Sequence, residues 1–583
     1  MNILILPILI PWLSAMVPAL LRGNPKLEKA FAILATAGLT GFVFWLMGYV
    51  DANGIQTTVL GGWNAPWGIV LVADRLACIM LCLSCGVGLV ALIYSCFTAT
   101  DKQQKYFFFP LFQVVLTGVN WSFMTGDIFN LFVAYEVMLM GSYGIMMVGA
   151  SKAQVRQTMK YIAINVVGST FFVAGVGLIY ATVGAINMAE ISQRTAQMTG
   201  DQAAIVTAVS TVMMIVFAMK TAAFPLFFWL PDSYPVVPSG VNGFFAGLLT
   251  KVGVYSLLRM YVVVFRQPGS EVALQIILGL SCFTMLLGVL GAMCQWEIRK
   301  ILSWHIISQV GYMVMGIGLV GIVIKAADGS TDVAATEALK TAAVVGTIFY
   351  IVHHIVVKSS LFLVGGIAER VTGTQELKKM GGVLDLAPGV AGLFLIASFS
   401  LAGMPPFSGF LSKFVLVKAG LAGGAYIVVT VAIVTSFFTL YSMTKIWGYA
   451  FWGKKCRKQA GSGYRALMAP TGVLIAFTVL MGVMAQPFVA LAERAAKDVT
   501  DPTAYIQASL RTKGDPVKPA SDHGHAIDVK PQITNLKSQT SSNIQKDETP
   551  RAMSPAMLHS TLRGAATVQA VPVAPAVAGA GFQ

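Results

Sequence analysis

The chain has 583 residues, of which 56% are hydrophobic and 11% charged, with a mean hydropathy of +0.73. Soluble domains carry about a quarter charged residues, so a soluble globular protein is excluded and an all-α polytopic membrane protein is indicated. The net charge of +15 is spread through loops without a basic stripe, which argues for membrane topology and against a nucleic-acid surface.

A membrane span needs about 20 apolar residues. Such runs begin near Ile3, Ala30, Ala73, Phe108, Ile128, Tyr161, Ile205, Ser239, Val272, Ile301, Thr341, Pro388, Tyr426 and Leu467, which predicts about 14 transmembrane helices. Met1-Asn2-Ile3-Leu4 carries no basic residue ahead of the first run, so that run reads as a retained helix rather than a signal peptide. Basic residues fall on alternate loops: Arg22, Lys26 and Lys29; Lys102 and Lys105; Lys152, Arg156 and Lys160; Arg299 and Lys300; Arg370, Lys378 and Lys379; Lys454, Lys455, Arg457, Lys458 and Arg465. The other loops are sparse or acidic, with Asp51, Asp127, Glu190, Asp201, Glu271, Asp328, Asp332 and Glu337. The positive-inside rule predicts that the basic loops are cytoplasmic and both termini outside, and an even helix count agrees.

Two runs are interrupted at mid-depth. Lys220-Thr221-Ala222-Ala223-Phe224-Pro225 breaks the seventh, and Gly403-Met404-Pro405-Pro406-Phe407-Ser408-Gly409 the twelfth, just ahead of Lys413. Such breaks are tolerated only where protein or water satisfies the freed backbone. They lie five helices apart, as expected of two inverted five-helix repeats. From about Thr500 the composition turns to Pro, Ser, Thr, Lys and Ala, which predicts a membrane domain over 1–499 and a disordered low-complexity tail over 500–583.

Inside these apolar runs stand Glu136, Lys220, Lys251, His353, His354, Lys358 and Lys413. A charge in hydrocarbon costs about 3 kcal/mol even on the lowest scales, so seven such groups point to a task, and proton movement is the nearest. Glu136 fits a helix-packing carboxylate with a hydroxyl partner, but reads better as a counter-ion for Lys220, since an unpaired carboxylate there would be protonated. His354 and Lys358, four residues apart, share a helix face and make a relay with His353. A lone buried histidine is more often a satisfied core residue; three titratable groups on one helix favour the relay. His305, near the end of its run, fits either. Arg259 and Lys445 are expected to snorkel or meet head groups.

Other motifs are weak. Cys78, Cys82 and Cys85, among seven cysteines, contain a CxxC but lack further ligands, so no metal site is expected. Gly316-Ile317-Gly318-Leu319-Val320-Gly321 mimics a dinucleotide loop without the strand it needs, and no cofactor is implied. Asn120-Trp121-Ser122 is a formal glycosylation sequon only.

Three stretches carry a resemblance: Thr125-Gly126-Asp127-Ile128-Phe129-Asn130-Leu131-Phe132 running into Glu136, Lys220 to Asp232, and Thr250-Lys251-Val252-Gly253-Val254-Tyr255. From about Ile3 to Ala492 the chain resembles the antiporter-like family shared by respiratory complex I, membrane-bound hydrogenases and Mrp-type cation/proton antiporters. With Val148 to Lys160, it is most similar to the D-type branch of the Mrp antiporters. The resemblance implies 14 helices with two inverted repeats and a central hydrophilic axis. It implies a glutamate–lysine pair (Glu136, Lys220), a central lysine (Lys251), histidines on the eleventh helix and a terminal charge, here Lys413. The function it implies is a non-enzymatic, proton-translocating subunit of a Na+(K+)/H+ antiporter in the plasma membrane. Its expected partners are other subunits, protons, Na+ or K+, and lipid. The alternative is a proton-pumping component of an NADH–quinone oxidoreductase or a hydrogenase. The long Pro/Ser tail and the lysine at 413, where some complex I members have glutamate, depart from the family pattern.

Overall fold

Every predicted apolar run is helical in the computed structural model, which describes residues 3–20, 24–63, 68–326, 328–453 and 463–510. The principal helices are α1 (Leu6–Leu20), α2 (Pro25–Asn53), α3 (Arg75–Thr98), α4 (Phe108–Met124), α5 (Ile128–Met147), α6 (Lys152–Val183), α7 (Gly200–Thr221), α8 (Ser239–Leu258), α9 (Ser270–Cys294), α10 (Ile298–Leu319) and α11 (Val333–Thr372). The twelfth run is two helices, α12 (Pro388–Ala402) and α13 (Ser408–Ala422), followed by α14 (Tyr426–Ile446), α15 (Arg465–Val483), α16 (Ala485–Thr500) and α17 (Thr503–Ser509). Eleven described helices are long and apolar enough to cross a membrane, and Ile3–Val17, Phe108–Met124 and Pro388–Ala402 are shorter apolar ones. The chain is a multi-pass membrane protein.

Both expected breaks are present. α7 stops at Ala222, a left-handed residue at φ 60°, and α12 stops at Gly403, at φ 89°. The same order of elements runs twice, through α4–α8 and α9–α14. Each copy opens with a helix pair whose backbones nearly touch: a Cβ on Gly118 would lie 2.4 Å from the Met138 amide nitrogen, and one on Gly288 2.4 Å from that of Ser308. Next comes a long helix, α6 or α11, ended by a left-handed glycine, Gly184 or Gly373. A one-residue bridge follows, Asp127 to Asn187 or Glu297 to Glu376. Each copy then has its broken helix and a last helix that closes in a π-turn, Arg259–Val264 or Trp447–Trp452. Five crossings per copy reverse the second against the first.

The side of the sparse loops is tied together by charge. A short antiparallel hairpin, Gln56–Val59 with Val70–Ala73, packs against the turn Ile3–Ile5 and α17, so both ends of the described chain lie on this side. Arg75 pairs with Asp51 at 2.8 Å and Asp498 at 2.9 Å, and Arg494 with Asp51 at 2.9 Å. Arg259 does not snorkel. It is buried, fork-bonded to Asp74 at 2.6 and 2.9 Å, and stacked between Tyr255 and Tyr505. Lys445, part-exposed near the end of α14, donates to the Met293 and Gln295 carbonyls at 2.8 and 2.7 Å and stands over the Trp296 ring. For Arg259 desolvation is offset by bonds that a head group would otherwise supply.

α17, past the expected boundary at 499/500, is helical and its Tyr505 is buried against Arg259. Residues 511–583, Arg22 and the basic cluster Lys454, Lys455, Arg457 and Lys458 lie outside the described residues. Asn120 of the formal sequon is buried and donates to the Pro7 carbonyl at 2.9 Å, while Gly318 and Gly321 pack the α9–α10 seam.

Removing one partner of a buried ion pair typically costs about 3–5 kcal/mol, whereas replacing both with apolar residues is roughly neutral. Asp74→Ala is therefore expected to destabilise by about that amount. The double change Asp74→Leu with Arg259→Met is expected to melt closer to wild type, as read by thermal unfolding in detergent.

Candidate functional site

In the first half, the break after α7 leaves Lys220 at a frayed helix end, 5% exposed. Its Nζ donates to Asn165 Oδ1 at 3.1 Å and lies 5.8 Å from the Tyr135 ring centre. Glu136 accepts a hydrogen bond from the Ser169 hydroxyl. Among the described residues no ion pair joins Glu136 directly to Lys220; the two charges are electrostatically coupled, and α6 supplies a neutral hydrogen-bond partner to each. The break itself is held by Trp229, whose indole donates to the Met219 carbonyl at 3.2 Å, and by Gly253 of α8. A Cβ on Gly253 would meet Thr221 Oγ1 at 2.7 Å, so only glycine lets α8 approach so closely.

At the centre, Lys251 is fully buried and donates to the Ala246 carbonyl at 2.7 Å and Thr250 Oγ1 at 3.1 Å. Its charge is coupled to Lys358 and His354 on α11. Lys358, also fully buried, reaches across to the Leu302 carbonyl of α10 at 3.0 Å. The adjacent histidines diverge. His354 stacks on Tyr350 and is coupled to Lys251 and Lys358, whereas His353 Nδ1 meets Ser408 Oγ at 2.9 Å at the second break.

In the second half, Lys413 reaches back over the break to the last carbonyls of α12, Leu401 at 3.1 Å and Ala402 at 2.9 Å. An ammonium there answers orphan carbonyls and the negative helix end together. It stands 5.2 Å from the Tyr312 ring, which stacks on Tyr350 at 5.2 Å, so two aromatic rings link Lys413 to the histidines. A cavity of about 410 Å³ opens at the break, lined by Gly403, Met404, Pro405, Lys413 and Ser436. The seven predicted residues thus form two groups, Glu136 with Lys220 and the other five together. His305 is fully buried in the second region, with Nε2 2.9 Å from Ser442 Oγ.

Sequence reasoning did not reach Asn165, Ser169, Tyr135, Tyr312, Tyr350 or Gln309, whose side chain accepts from the Tyr350 hydroxyl at 2.6 Å. Neutral polar and aromatic residues are common in membrane helices. The available signal was spacing: Asn165 and Ser169, like His354 and Lys358, are four residues apart.

Fold and site together define a polytopic membrane protein with a file of titratable groups through its interior and a lysine at each of two helix breaks. The sequence matches the family described as NADH:quinone oxidoreductase/Mrp antiporter, transmembrane, over residues 125–328 and 333–439. The chain belongs to this family. It is 41% identical to the D-type component of a Na(+)/H(+) antiporter of Alkalihalophilus pseudofirmus, over 88% of this chain and 99% of that protein. It is 34% identical to its counterpart of the same name in Bacillus subtilis, again over 88% and 99%. Among solved structures it resembles a chain of the Mrp complex from Dietzia sp., at a TM-score of 0.78 and 29% identity, covering 87% of this chain and 99% of that one. A chain of an archaeal membrane-bound sulfane sulfur reductase, 23% identical at a TM-score of 0.77, shares the fold, over 88% of this chain and 100% of that one.

The second break leaves no room at Gly409, where a Cβ would sit 1.7 Å from the Ser400 carbonyl oxygen and 3.0 Å from His353 Cε1. Backbone cannot rotate aside as a side chain can. Gly409→Ala is expected to push α13 off α12, costing about 1–3 kcal/mol, read as a lower melting temperature in detergent.

Proposed function

We propose that this chain is the proton-translocating subunit of a multi-subunit Na+(K+)/H+ antiporter of the plasma membrane, a transporter rather than an enzyme. The observation that carries the reading is the placement of Glu136, Lys220, Lys251, His353, His354, Lys358 and Lys413. The lysines and histidines are buried in the helix bundle, Glu136 is half-buried, and a lysine stands at each break. The names of the similar proteins, D-type components of Na(+)/H(+) antiporters, support it. A proton would pass among Glu136, Lys220, Lys251, His354, Lys358 and Lys413, with His353 and the cavity at Pro405 giving access at the far end. Desolvation brings the ammonium and free amine of a lysine closer in energy, which a relay requires. The redox-complex alternative has in its favour the quinone oxidoreductase half of the family's description. In either case the partners are other subunits, protons and, for an antiporter, Na+ or K+.

Three measurements test this. Glu136→Ala and Lys220→Ala are each expected to abolish cation-driven pH change in everted vesicles carrying the whole complex, with normal amounts of the chain in the membrane. Near-normal antiport in either would remove the pair from the mechanism.

Arginine keeps a positive charge but practically never releases its proton. Lys251→Arg and Lys413→Arg should therefore slow exchange by about a hundredfold or more, the usual scale for loss of a proton-transfer group. Wild-type rates in both would make these lysines structural charges.

Both termini are proposed to face outward. Ala504→Cys, on a background without the native cysteines, should react with an impermeant maleimide in intact cells. Reaction only after permeabilisation would reverse the topology.

A further inference from the structure

Among the buried polar residues of α6, Asn165 and Ser169 bond relay residues but are not part of the relay above. Asn165 is 3% exposed and Ser169 9%, while Val166, Val167 and Phe171 between and beyond them are exposed on the opposite face. Asn165 accepts from Lys220 and donates through Nδ2 to the Tyr161 carbonyl at 2.9 Å, and Ser169 donates to Glu136. Gly168, between them, keeps α7 close: a Cβ there would overlap the Met219 methyl at 1.6 Å.

The duplication shows what these positions correspond to. Counted back from the left-handed glycines that close α6 and α11, Gly184 and Gly373, residues Tyr161, Asn165 and Ser169 fall on the places of Tyr350, His354 and Lys358. Where the second half carries an imidazole and an amine, the first carries an amide and a hydroxyl. Both sets face the interior, and both touch or couple to a relay lysine. Glu136 and Lys220 are electrostatically coupled but make no direct pair, so their charges are not locked together. Neutral dipoles solvate each charge without neutralising it.

We propose that Asn165 and Ser169 are positioning residues of the first half: Asn165 holds the Lys220 amine and Ser169 the Glu136 carboxyl one helical turn apart, and a proton passes between the two only when Lys220 leaves Asn165. This rests on the reading of Glu136 and Lys220 as proton carriers. Asn165→Leu and Ser169→Ala should each lower exchange in everted vesicles by about tenfold. They should also displace its pH optimum by about one unit, the scale of one hydrogen bond to a charged group. Ser169→Thr, which keeps the hydroxyl, should retain both rate and optimum.

A second measurement needs no transport. In the purified protein the infrared carboxyl band of Glu136, identified by its loss in Glu136→Gln, should titrate at a displaced pH in Ser169→Ala and at the wild-type pH in Ser169→Thr. Wild-type rate and optimum in both Asn165→Leu and Ser169→Ala would overturn the proposal. So would an unmoved Glu136 band in Ser169→Ala. If the wild-type complex exchanged no cations for protons, the functional reading would fall and the infrared band alone would decide this one.

Discussion

Hydrocarbon offers no hydrogen bonds, so every charge and every freed backbone carbonyl inside this bundle must find a partner in the protein. The two requirements answer each other. A helix break exposes carbonyls that α-helical bonding would have used, and a buried ammonium needs acceptors. Lys413 meets the end of α12 in this way, Lys445 meets the end of α9, and Lys251 and Lys358 take carbonyls from their own or a facing helix. At the second break, lysine and freed carbonyls are thus two parts of one solution; at the first, Lys220 turns to the Asn165 side chain and Trp229 takes the Met219 carbonyl.

Duplication extends that solution across the membrane. Two copies of a five-crossing unit, run in opposite senses, place one break in each half, and α11 places Lys358 and His354 beside Lys251 of α8 at the junction. The copies have diverged in the residues they present at equivalent places. The first half relies on a carboxylate and neutral dipoles, Glu136 with Asn165 and Ser169. The second is cationic and aromatic, with Lys413, His353, Tyr312 and Tyr350. Such asymmetry puts two chemically distinct clusters on a scaffold with nearly equivalent backbones.

The rim on the sparse-loop side has a different physical character. Arg259, Asp74, Arg75, Asp51, Asp498 and Arg494 tie α2, α3, the end of α8 and α16 into one network, and Tyr505 of α17 stacks on Arg259. Asp74 also caps α3 through the Ala77 amide at 2.8 Å, so a single carboxylate sets a helix start and neutralises a buried guanidinium. This clamp keeps the C-terminal helices against the bundle.

Apolar run length and loop charge determined the helices and their alternation from sequence alone, because burying backbone in lipid leaves few other choices. The breaks were legible for the same reason: Pro225, Pro405 and Pro406 cannot continue a helix. The deep charges were legible because each is costly in hydrocarbon and stands out against its run. Only the tertiary structure decided what each charge touches. Sequence reading joined Glu136 to Lys220 and sent Arg259 and Lys445 to the surface, since charge and depth were all it could weigh. The fold gave Ser169 to Glu136 and Asn165 to Lys220, and it turned Arg259 inward to Asp74. Partners as ordinary as serine, asparagine and backbone carbonyl carry no signal along the chain, and they acquire one only when helices far apart in sequence meet.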